Sequence, residues 1–104
     1  MRVLIREKVY QSIAAFYEAA LERHPALDEQ TIRNKEQRLY HSLLLLGETY
    51  YLYNPPRYIE AWRKAGYLDY ICEDFHFAFQ ISVLPTGEMV VSVEDACHSL
   101  QFHD

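Results

Sequence analysis

The sequence predicts an α+β domain in which an N-terminal strand, an αα-hairpin and a short third helix pack on a mostly antiparallel four-stranded sheet, with the helices on one side of it. Three observations carry that expectation. From Phe75 to Val83, Phe75, Phe77, Phe79, Ile81 and Val83 alternate with His76, Ala78, Gln80 and Ser82, the period of a strand with one packed face. The first half of the chain repeats its apolar residues at intervals of three and four instead, as amphipathic helices do. Half of the 104 residues are hydrophobic, and they are spread along the chain with no internal repeat or low-complexity linker. That size and patterning give a single domain over residues 1–104, with a core and no signature of disorder.

Taken in order, Arg2-Val3-Leu4-Ile5-Arg6 reads as a short strand. A helix follows from about Glu7 to Arg23, with Val9, Ile13, Phe16, Tyr17, Ala20 and Leu21 on one side, and Pro25 stops it. Asp28 is placed to cap a second helix, whose stripe is Ile32, Leu39, Leu43 and Leu46, with Glu36 where an apolar residue would fit better. Gly47 ends or bends that helix. Tyr50-Tyr51-Leu52-Tyr53 fits either another helical turn or an extended stretch. Asn54-Pro55-Pro56 punctuates the chain: Asn54 suits a cap, Pro55 a first helical position, and Tyr58 to Lys64 make two turns before Gly66. Leu68, Tyr70 and Cys72 then alternate with Tyr67, Asp69, Ile71 and Glu73 as a strand, and Glu73-Asp74 supplies a tight turn. Leu84-Pro85-Thr86-Gly87-Glu88 forms a slightly longer loop to a last strand that starts at Met89.

Charge is divided unevenly. All ten Lys and Arg residues lie at or before Lys64, giving +2 over residues 1–64, and seven carboxylates without a formal cation give −7 over the rest. A nucleic-acid surface on the C-terminal sheet therefore needs basic residues reaching over from the helices. Cys72 and Cys97 are too few for a disulfide framework, and the start carries no long apolar stretch. The expectation is a reduced, cytoplasmic setting without a membrane span.

The element order and two segments resemble the RelE/ParE toxin superfamily. Leu68 to Ile81, with the step Asp74-Phe75-His76, resembles the family's central hairpin; Val90 to His98 resembles its last strand, which characteristically ends in a histidine. The resemblance implies a toxin-like component of a type II toxin–antitoxin system: a ribosome-dependent mRNA endonuclease, as in RelE-like members, or a gyrase inhibitor, as in ParE-like ones. It also implies an antitoxin-like peptide or protein as partner, with RNA or the ribosome as target of an endonuclease. His98 matches the terminal histidine, and His76 stands where an arginine is frequent. Arg63 and Lys64 fall in a region that commonly supplies basic residues. Ser99 stands where an arginine often follows the histidine, and Phe102, His103 and Asp104 form a tail lacking the tyrosine of some nucleases. These departures remove positive charge or a catalytic group.

Strict alternation puts Val91 and Val93 inward and Ser92, Glu94, Ala96 and His98 outward, beside His76 and Gln80. On that parity His76, His98 and Glu94 meet in a concavity bordered by Asp69 or Tyr67; a bulge would alter it locally. Cleavage through a ribose hydroxyl needs a base, an acid and positive charge over the phosphate. His98 and His76 supply the proton chemistry in this expectation and Arg63 the charge, while Arg6, Lys64, Tyr67 and Glu94 bind substrate. The competing reading makes both histidines strand residues hydrogen-bonded to nearby carboxylates or tyrosines. No local ligand spacing marks a metal site at His76, His98, Glu94 or Asp69, so neither metal nor cofactor is expected. The functional alternative to the toxin is a catalytically inactive protein-binding module on the same fold. Self-association is left open.

Overall fold

The computed structural model describes residues 1–101; the tail from Phe102 to Asp104, and with it the comparison to nuclease tails, lies outside them. Strand β1 (Arg2–Ile5) leads into helix α1 (Glu7–Arg23), and α2 (Glu29–Leu44) bends into the single turn α3 (Leu46–Thr49). A 3₁₀ turn at Tyr50–Leu52 follows, then the short α4 (Glu60–Ala65), β2 (Leu68–Cys72), β3 (Phe75–Val83) and β4 (Met89–His98).

Local chemistry explains these boundaries. Asp28 caps α2 by accepting from the backbone N–H of Gln30 at 3.1 Å and from the Thr31 hydroxyl at 2.9 Å. Gly47 sits inside the bend between α2 and α3, where a Cβ would overlap the Met1 carbonyl. The N-terminal ammonium donates back to the Gly47 carbonyl at 3.2 Å, so this turn covers the start of β1. Gly66 closes α4 with φ near +81°. Tyr67 N–H bonds Trp62 C=O and Gly66 N–H bonds Arg63 C=O, the paired reverse bonds of a left-handed helix stop.

The sheet is mixed, in the order β1-β4-β3-β2. Strand β1 runs parallel to β4, while β4 with β3 and β3 with β2 are antiparallel. Phe75, Phe77 and Phe79 all point to the helix side and are fully buried, each worth roughly 1.5–3 kcal/mol over an exposed ring. Val9, Ile13 and Tyr17 of α1 and Ile32, Leu39 and Leu43 of α2 close over them. Glu36, which breaks the α2 stripe, is buried and accepts from Arg33 at 2.9 Å.

The short helix departs from the expected arrangement twice. It begins at Glu60, not at Pro55, and Asn54 caps nothing; its carbonyl accepts from Asp69 N–H at the β2 edge instead, at 2.9 Å. From there the prolines carry the chain around the edge, and α4 lies on the sheet face opposite α1 and α2. Trp62 is buried there and donates its indole N–H to Asp95 at 3.2 Å. A buried indole seeks a polar partner, and Asp95 supplies it on this face.

Candidate functional site

The last strand decides what the two histidines can do. Phe77 pairs with Ala96 and Ala78 with Asp95, but Phe79 pairs with Val93, so one extra residue, Glu94, is inserted opposite the Ala78–Phe79 step. Such a bulge puts two consecutive side chains on one face and reverses the parity beyond it. Glu94 and Asp95 both face outward, away from α1 and α2, while Ala96 and His98 turn inward. His98 stacks on Phe16 of α1 with centroids 3.8 Å apart and meets Phe75 edge-on at 5.0 Å. Its Nδ1 accepts from the Leu100 N–H at 3.1 Å, which requires that nitrogen to be unprotonated. Burial holds the imidazole below its ordinary pKa, helped by Lys35 and His76 against the pull of Asp74.

His76 lies on the other face, so the expected pocket joining His76, His98 and Glu94 does not form. The strand alternation assumed for β4 holds only up to Val93. The same separation removes the metal arrangement built on both histidines; among the described residues no three His, Cys, Asp or Glu side chains gather as ligands.

What the outer face does assemble is a pair. His76 Nδ1 donates to Asp69 on the neighbouring strand, 2.9 Å from Oδ2 and 3.2 Å from Oδ1. This is the carboxylate-bound arrangement of the competing sequence reading, realised at His76. The segment from Pro56 to Ile59 folds over the pair and leaves a cavity of about 140 Å³, walled by Pro56, Arg57, Tyr58, Ile59 and Ile71. A wider cleft of about 620 Å³ adjoins it through Arg57 and Tyr58 and is lined further by Glu60, Arg63 and Lys64.

The remaining expected site residues scatter. Glu94 accepts from Ser92 Oγ at 2.6 Å, Arg6 Nε at 3.1 Å and Gln80 Nε2 at 3.2 Å. Burial raises its pKa, but these three donors outweigh burial and leave the carboxyl below its usual range. Arg6 is thus paired with Glu94. Arg63 donates to the Arg57 carbonyl at 3.5 Å, Lys64 pairs with Glu60, and Tyr67 follows the α4 stop. Cys97 faces outward, and burial together with Asp95 pushes its thiol pKa up, the wrong direction for a nucleophile. Arg57, Tyr58, Trp62 and Asp95 were not among the expected site residues, although two successive carboxylates inside an alternating strand are themselves a bulge signal.

No protein-family model matches the chain, and no curated protein or solved structure is significantly similar to it.

Proposed function

We propose that this chain is a protein-binding module on a RelE/ParE-like scaffold, a component of a toxin–antitoxin-type pair that works through a partner protein rather than by cutting a phosphodiester. The observation that carries the reading is the division of His76 and His98 between opposite faces of the sheet. A base and an acid acting on one phosphate must flank the same reacting atoms, and two groups separated by a packed sheet do not. The cations point the same way. Arg2, Arg6, Lys8 and Arg38 reach over from the first half of the chain, but to Glu88, Glu94, Asp95 and Glu73. Gyrase-directed inhibition falls within this reading, since it needs a protein surface and no bond cleavage.

Inducible expression in a bacterial host, with mapping of messenger-RNA 5′ ends, tests the reading. The folded wild type is expected to leave ribosome-bound messages uncut, and any growth arrest is expected to survive His76→Ala. Cleavage that disappears in His76→Ala or His98→Ala would overturn it in favour of the endonuclease.

A further inference from the structure

Strand β2 is an outer edge of the sheet, and its hairpin ladder dictates which backbone groups face away from β3. Leu68, Tyr70 and Cys72 alternate with Asp69 and Ile71 along that ladder, and only alternate residues of an antiparallel pair exchange hydrogen bonds with the neighbouring strand. Asp69 N–H goes outward to the Asn54 carbonyl, so Ile71, two residues on, also presents its N–H and C=O outward. Among the described residues no hydrogen bond occupies either group of Ile71. The residue is 57% exposed. Sheet edges are ordinarily blunted by proline, charge or a covering segment; here the cover supplied by Asn54 ends at Asp69.

The uncovered stretch adjoins two features of defined chemistry. One is the small cavity under Arg57 and Tyr58, sized for a single side chain and walled by Pro56, Ile59 and Ile71 above the hydrogen-bonded Asp69–His76 pair. The other is the cleft of Arg57, Arg63 and Lys64, where among the described residues Glu60 is the one carboxylate in the lining. Among the described residues Arg57 and Arg63 pair with no carboxylate, and the exposed Lys64–Glu60 contact at 3.5 Å is of the weak i,i+4 kind.

We propose that the β2 edge at Ile71, with the cavity beneath Arg57 and Tyr58, is the docking site for a short extended segment of a partner protein that carries acidic residues around one apolar side chain. The proposal rests on the protein-binding reading and names its surface. An added strand bonds the free N–H and C=O of Ile71, its apolar side chain enters the cavity, and flanking carboxylates reach Arg57, Arg63 and Lys64. The backbone pair selects a peptide over a nucleic acid, because a donor and an acceptor at ladder spacing ask for an amide backbone. The cations select its sign.

The test uses the ¹⁵N-labelled full chain and three probes. These are a blocked peptide of about nine residues with one central valine and glutamates two residues to either side of it, on the same face of an extended strand, its lysine counterpart, and a single-stranded oligoribonucleotide of similar length. The glutamate peptide is expected to shift the amides from Asp69 to Glu73 saturably, the other two to leave them unmoved. Reversing charge with Arg57→Glu and Arg63→Glu is expected to weaken the peptide by about tenfold or more while the Trp62 indole signal stays in place, showing an intact fold. An absent shift at Asp69 to Glu73, an equal response to the lysine peptide, or a response to the RNA would overturn the proposal. Failure here with messages still uncut removes the site alone, whereas message cleavage removes the protein-binding reading itself.

Discussion

Replacing His98 measures whether it is a core residue or a catalytic one. Its ring makes two aromatic contacts, the 3.8 Å stack on Phe16 and the 5.0 Å edge contact with Phe75. Each is worth about 0.5–1.5 kcal/mol beyond burial, so His98→Ala is expected to cost about 2 kcal/mol. For a domain of this size that lowers Tm by roughly 10 °C. His98→Phe keeps both ring contacts and loses only the bond from Leu100 N–H, so it is expected to cost less, about 1 kcal/mol. The titration separates the cases further. Burial depresses the folded pKa of His98, so the unfolded chain binds the proton more readily than the folded one. Its contribution is complete above the unfolded value of about 6.5 and is lost as pH falls toward the depressed folded value. Urea unfolding of wild type and His98→Phe between neutral pH and pH 5 isolates this slope from the other histidines, and NMR of the imidazole reads the shift directly. A loss below about 0.5 kcal/mol for His98→Ala, or a His98 ring that titrates above the ordinary histidine value, would refute the inward placement and with it the bulge.

Two further outcomes follow from packing and charge. Glu94→Gln is expected to destabilise by about 2 kcal/mol at neutral pH, because an amide cannot accept from all three of the donors on Glu94. The folded pKa is depressed, so that difference between wild type and variant is complete above the ordinary carboxylate value of about 4.3 and shrinks as pH falls through the lower folded value; chemical denaturation across that range reads it. Gly47→Ala drives a methyl into the Met1 carbonyl and against Val3; a loss of about 1–3 kcal/mol is expected, with faster hydrogen exchange at the β1 amides as the local signature.

The parts of the fold that sequence made legible are those where one local pattern has one physical outcome. Three phenylalanines at a period of two can bury themselves only as one face of a strand, and they are fully buried. Glu73-Asp74 turns the chain between two alternating runs, and both residues take positive φ, near 52° and 66°, as a two-residue hairpin demands. Asp28 caps where it should. The failures come where a local pattern is silent about its partner. Trp62 gives α4 an apolar stripe, but whether that stripe meets the phenylalanine face or the opposite one depends on Asp95, thirty-three residues away. The parity of β4 is set by two adjacent carboxylates, each drawn to its own outer-face donors: Arg6, Gln80 and Ser92 for Glu94, Trp62 and Lys8 for Asp95. One inserted residue then moves His98 from the open face to the core. The histidine that was legible as part of a site was His76, through the alternative in which a neighbouring carboxylate holds it.

Charge supports the proposed preference for a peptide over a nucleic acid. The seven carboxylates of the second half would repel phosphate if left bare. Arg2, Arg6, Lys8 and Arg38 neutralise four of them through contacts of 3.0–3.5 Å. A polynucleotide needs positive charge along a track, since each phosphate contact contributes separately to affinity. These four cations are paired with side chains of the protein itself. What is left at Arg57, Arg63 and Lys64 is a corner rather than a track, long enough for two or three carboxylates beside a strand edge. In the proposed docking, an acidic segment a few residues long meets that corner beside the strand edge, where Arg57, Arg63 and Lys64 supply the charge.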